Sequence, residues 1–178
     1  MLHFDLSNKS KVMRKNFIGL LLGGVVVSLG LSPLLVQAQQ QISDAQVASM
    51  VEALRRAAPQ TGSQSDGLYS EWQVKPETLK GWSKYCLKQE LTPTQFENSP
   101  ATARKVVSCI ISRELNQQFG ATKNNETTAV RDVACWWMTG KYKGCDSGFT
   151  ATYVQKVVSF YQQERSKPAA NTSTAPAQ

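Results

Sequence analysis

Residues 17–35 form a long apolar stretch, and no other feature constrains the chain as much. A segment of this length either spans a bilayer or is removed, because about 20 apolar residues reach across the hydrocarbon core. Here it is broken by Gly19, Gly23, Gly24, Gly30 and Pro33, preceded by Lys9, Lys11, Arg14 and Lys15, and followed by Val36-Gln37-Ala38. A basic flank, an apolar centre and a small residue at the exit form the pattern of a cleaved export signal, so residues 1–38 read as a signal peptide cut after Ala38. The competing reading, an uncleaved anchor, is disfavoured by the Gly and Pro content and by Gln39-Gln40-Gln41 directly beyond. Met13-Arg14-Lys15-Asn16 also reads as a start, so no functional argument rests on residues 1–12.

Removal of that segment changes the chemistry available to the rest. The chain carries 20 Lys and Arg against 13 Asp and Glu; four of the cations and Asp5 precede residue 39, which leaves 16 against 12 and a net charge of +4. That surplus is mild and forms no basic run, which argues against a nucleic-acid partner. The one histidine, His3, lies in the removed part. Catalytic triads, histidine general bases and histidine zinc sites are thereby excluded from the exported protein.

Four cysteines remain, Cys86, Cys109, Cys135 and Cys145. An even number in an exported chain of one-domain length predicts two disulfides. A zinc site built from all four is the rival, and no pair shows the two-to-four-residue spacing such sites prefer. No metal, cofactor, phosphate loop or haem attachment is expected.

Helical periodicity organises residues 39–165 as a single domain. Ser43 and Gln46 form a capping box before a helix over 44–58, with Val47, Met50, Val51 and Leu54 inward. A long loop over 59–75 carries Leu68, Tyr69, Trp72 and Val74, which favours a segment packed onto the domain over a free tether. Pro76 opens a helix over 76–89 with Leu79, Trp82 and Cys86 on one stripe. Thr92 and Gln95 cap a short helix containing Phe96. Pro100 begins a helix to about Gln118, with Gly120 fitting its end. Asn124 or Asn125 caps the next, through Thr139, with Val130, Val133, Ala134 and Trp137 inward. The last runs from Asp146 or Ser147 to Arg165, with Phe149, Tyr153, Val157 and Phe160 on one stripe. Residues 166–178 are mostly Pro, Ala, Ser and Thr and read as a disordered tail. The fold class is all-α, an irregular bundle of four to five helices with two disulfides.

Four cysteines permit three connectivities. Phase places Cys86 and Cys109 toward the core, whereas Cys135 lies roughly 150° from the centre of its helix's apolar stripe at about 100° per residue. Phase therefore favours Cys86–Cys109 and Cys135–Cys145.

Two segments are candidate sites. The loop closed by Cys135 and Cys145 carries Trp136, Trp137, Lys141, Tyr142 and Lys143, rigid aromatic and cationic groups of the kind that bind partners at low entropic cost. Trp137 is in phase with the core, and Trp136 sits at the edge of the face. The second segment holds Tyr69, Glu71 and Trp72. A carboxyl beside aromatics can act as a general acid in glycan cleavage, with Glu77, Glu97 or Asp146 as a second carboxylate. The plainer reading is that Tyr69 and Trp72 pin the loop and that Glu71 is solvated. Arg55-Arg56, Lys84, Lys88 and Arg104-Lys105 read as solvated helix faces.

Glu52-Ala53-Leu54-Arg55-Arg56-Ala57-Ala58-Pro59, Leu68-Tyr69-Ser70-Glu71-Trp72-Gln73, Thr92-Pro93-Thr94-Gln95-Phe96, Trp136-Trp137-Met138-Thr139-Gly140 and Ser159-Phe160-Tyr161-Gln162-Gln163 together resemble small exported cyanobacterial proteins with no assigned function. The resemblance implies the periplasm or the thylakoid lumen and transfers no active site. The leading expectation is a non-enzymatic binding or accessory protein. It would contact a protein or envelope component through the Trp136–Lys143 loop or the Leu68–Val74 segment. The alternatives are a carboxylate-dependent glycan or cell-wall hydrolase centred on Glu71, and a basic protein that touches membranes only peripherally, or through an uncleaved signal.

Overall fold

The computed structural model describes residues 41–59 and 67–168; the expected export signal, residues 60–66 of the long loop and the expected tail beyond residue 168 lie outside them. The described chain is all-α, with six helices: α1 (Asp44–Ala57), α2 (Pro76–Leu87), α3 (Pro93–Glu97), α4 (Pro100–Ala121), α5 (Glu126–Thr139) and α6 (Gly148–Ser166). Among the described residues no helix is long and apolar enough to cross a membrane.

Local chemistry sets the starts. Ser43 and Gln46 close a capping box on α1, and Thr92 and Gln95 close another on α3, each satisfying N–H groups that a helix leaves free. Asn125 caps α5 by accepting from Thr128 N at 2.9 Å. The end of α4 differs from expectation. Gly120 lies inside the helix, and the left-handed residues that end the run are Lys123 and Asn124, at φ 53° and 63°. The extra turn brings Phe119 into the core, where it is 4 % exposed. Thr122 then ties off the end by donating to Gln118 O at 2.8 Å.

The 22-residue α4 is the axis of the bundle. It packs against α1 and α5, α6 packs across α1 and α5, and α2 with α3 covers another side of α4. Met50, Val51, Leu54, Val106, Val107, Ile111, Leu115, Val130 and Val133 fill the centre. On α6 the buried stripe is Tyr153, Val154, Val157 and Tyr161. Phe149, expected inward, is 71 % exposed, because α6 begins only at Gly148 and nothing described covers its first turn.

Cys86 bonds Cys109, joining α2 to α4, and Cys135 bonds Cys145, closing the loop after α5. No cysteine is free, so the bridges displace the zinc arrangement. The depths reverse expectation: Cys86 and Cys109 are half-buried at the rim, whereas Cys135 and Cys145 are buried. Two bridges in a domain this small belong to a non-reducing environment.

Several cations read as solvated instead join elements. Arg56 of α1 reaches Glu164 of α6 at 2.7 Å and stacks over Phe160 at 4.0 Å. Glu52 accepts from Arg55 at 3.0 Å and from Arg104 of α4 at 3.2 Å. The Arg55 hydrogen bond holds the Glu52 carboxyl below its ordinary 4.5, against the opposing effect of burial. A carboxyl with a lowered folded value contributes stability above its unfolded value and loses it as pH falls through the folded one. Glu52→Gln is therefore expected to be less stable than wild type at neutral pH, and the gap should close on acidification. Urea titrations at stepped pH check this; a gap that stays constant into the acid range contradicts it.

Candidate functional site

Residues 68–75 precede α2 and contain a tight reversal. Tyr69 and Val74 exchange backbone hydrogen bonds at 3.0 and 2.9 Å, the only bridge among the described residues. Ser70 and Gln73 turn the chain at φ 63° and 54°. Trp72 projects from this turn into the bundle, where it is 1 % exposed and its indole N–H donates to Val51 O of α1 at 2.8 Å. Trp72 therefore anchors the segment and cannot be the exposed binding residue considered from sequence. Tyr69 is half-buried on the bridge.

Pinned in this way, the segment becomes one wall of a cleft of about 480 Å³, a volume in the range of small-molecule sites. Leu68, Trp72, Gln73 and Val74 line one side, Lys75, Thr78 and Trp82 of α2 another, and Trp136, Trp137 and Met138 of α5 the third. The two segments singled out from sequence thus meet at one place. All four tryptophans of the chain line it.

The rings pack as a cluster. Trp82 lies 6.0 Å from Trp136 and 5.2 Å from Trp137, and Tyr142 stacks on the Trp136 ring at 6.3 Å. Such offset and tilted contacts suit the ring quadrupoles. Trp82 and Trp137, placed in the core by periodicity, are only half-buried, as is Trp136. The helical stripe is correct for both, but the cleft interrupts the packing above them.

Tyr142 is held from behind. Its hydroxyl donates to Glu114, a carboxylate on α4 that is 2 % exposed and also takes Arg113. Burial, then the Glu114 hydrogen bond, pushes the Tyr142 phenol up to about 12. Tyr142→Phe keeps the stack on Trp136 and removes a donor from a buried carboxylate, so a loss of about 1–3 kcal/mol is expected in thermal or urea unfolding. A change under a few tenths would mean that Glu114 is satisfied without it.

The two lysines of the loop do not enter the cleft. Lys143 pairs with buried Asp132, and Lys141 is exposed and does not line the cleft. Glu71 is also outside: its side chain is 54 % exposed and pairs with Arg55 at 3.2 Å. Of its suggested partners, Glu97 accepts from Ser70 N, and Asp146, 85 % exposed, faces Arg131 at 3.7 Å. Glu71 thus lacks the apolar pocket that a general acid of this kind needs.

Among the described residues no carboxylate lines the cleft. Lys75, Thr78 and the Gln73 Oε1 supply its free polar groups; the Lys75 and Thr78 side chains have no hydrogen-bond or ion-pair partner among the described residues, and the buried Gln73 Oε1 accepts no hydrogen bond from them. Among the described residues no group of three or more His, Cys, Asp or Glu side chains is placed to hold a metal ion. Thr78 and Trp82 recur at i and i+4 on one face of α2, with Lys75 at its N-cap; that spacing was present in the sequence and overshadowed by the Leu79, Trp82 and Cys86 stripe. Comparison with protein-family models, curated proteins and solved structures finds no match to the chain.

Proposed function

We propose that this chain is an exported, non-enzymatic binding protein whose ligand site is the four-tryptophan cleft. The observation that carries the reading is the convergence of all four tryptophans, from three separate segments, on one cavity with no carboxylate among the described residues of its lining. Tryptophans serving stability alone are best placed where nothing leaves their faces uncovered, and three of these stay half-exposed. Disulfides on two sides hold α2 and the end of α5, so the rings are ordered before a ligand arrives, which lowers the entropic cost of binding. The export signal and the two bridges support action outside the cytosol, in the periplasm or thylakoid lumen, on a component of the envelope.

Native mass spectrometry and tryptophan emission against a panel of saccharides, peptides and aromatic acids test the reading. At least one class should bind the wild type one-to-one and shift its emission. Trp82→Ala with Trp136→Ala should lose that ligand while keeping the far-ultraviolet circular dichroism of the helical fold. Absence of binding across the panel, or binding unchanged in the double variant, would reject the cleft as the site.

A further inference from the structure

Resting on the cleft as the binding site, we infer that its ligand is an acidic saccharide, a sugar ring bearing a carboxylate. Three properties of the lining select that chemistry together. First, Trp82, Trp136 and Trp137 are half-buried, with centroids 5.2 to 6.5 Å apart, and their uncovered surface is flat, apolar and electron-rich. Such faces accept ring-shaped ligands through their C–H groups, the positive edge of one partner meeting the negative face of the other.

Second, Thr78 stands at the cleft with a hydroxyl that no described group engages. A hydroxyl both donates and accepts, as sugar hydroxyls require. Third, Lys75 is the one charged residue lining the cleft among the described residues, and it makes no ion pair with any of them. A cation without a described acid partner is complementary to an anion, and an ammonium paired to a carboxylate makes the stronger, charge-assisted kind of hydrogen bond.

The three groups also stand in order. Lys75 is the extended residue that leads into α2, and Thr78 and Trp82 lie four residues apart within it, so a ligand along this wall meets charge, hydroxyl and aromatic ring. A cationic ligand is disfavoured by Lys75, and a purely apolar one would bury Lys75 and Thr78 without partners, which carries a desolvation penalty.

The test uses trigalacturonic acid, its neutral methyl ester and the exported form of the protein with both disulfides intact. Tryptophan emission is the readout, since every tryptophan lines the cleft. The acid should bind roughly tenfold or more tightly than the ester, reflecting the charged hydrogen bond, and only the acid should weaken with added salt. Lys75→Met should abolish the difference while leaving ester binding in place. Lys141→Met, an exposed cation outside the cleft, should change neither. Equal binding of acid and ester by wild type, discrimination retained in Lys75→Met, equal losses in both lysine variants, or no saturable signal each overturn the inference. In the last case a different ligand found with the broader panel would leave the cleft standing as a binding site and remove only the acidic-saccharide assignment.

Discussion

Trp72→Ala is expected to lower the unfolding free energy by about 4 kcal/mol, the range for removing a large buried aromatic ring. The ring is 1 % exposed, its N–H is bonded to Val51 O, and the Arg104 guanidinium closes over it at 5.3 Å. Residues 68–75 lie outside the helices, and this side chain, with buried Val74 and the Ser70 N–H donated to Glu97, attaches that wall to the bundle. In a domain of ordinary stability, about 5–15 kcal/mol, the loss is a large fraction of the total. Urea unfolding measures it, and ligand affinity should fall in parallel because the cleft loses a wall. Trp72→Phe retains most of the volume but not the donor, and should cost about 1–3 kcal/mol. A Trp72→Ala loss below 1 kcal/mol would show that the segment is held some other way.

Removing the bridge between α2 and α4, with Cys86→Ala and Cys109→Ala, should cost about 3 kcal/mol through the freedom returned to the unfolded chain. The bond closes a separation of 23 residues, against 10 for Cys135–Cys145, so loop entropy makes its loss the larger of the two by under about 1 kcal/mol. Its functional consequence should be greater still. Only Leu79 and Ser83 of α2 are buried, and the Ser83 hydroxyl accepts from Leu91 N at 2.9 Å. A helix held so lightly should open locally once the bridge is gone, carrying Lys75, Thr78 and Trp82 with it. Amide exchange should accelerate along α2 more than along α4, and ligand binding should weaken more than after loss of Cys135–Cys145. Uniform acceleration across the domain would instead mean that α2 is held by packing alone.

Local rules made much of the fold legible. The capping boxes at Ser43 and Thr92, the prolines opening α2, α3 and α4, and the apolar spacing of Val47, Met50, Val51 and Leu54 depend on neighbours a turn away, so sequence distance is enough to read them. The site was legible only as fragments. Trp72 was read both as a pin and as a surface group, and its contact with Val51 O, 21 residues away, decides for the pin. Trp82 and Trp137 have core periodicity, but periodicity gives a direction around a helix and not the presence of a neighbour to cover it. Phe149 has the same fault in its reading: the stripe is right, and the covering element is missing.

Residues 17–35 with their flanks lead to the expectation of an exported chain that loses its one histidine, His3, with the signal, and the four cysteines to that of two bridges, because composition alone decides which side chains are available. They exclude chemistries and point to no site. Tertiary structure decided where the cleft lies, since it forms only when Trp72 ties the loop to α1 and the Cys86–Cys109 bond holds α2 beside α4. It also separated the lysines, leaving Lys75 at the cleft without a partner among the described residues while Lys143 is consumed by Asp132. Charge at a site depends on which partners lie within a few ångströms, and those partners come from residues that sequence order keeps far apart.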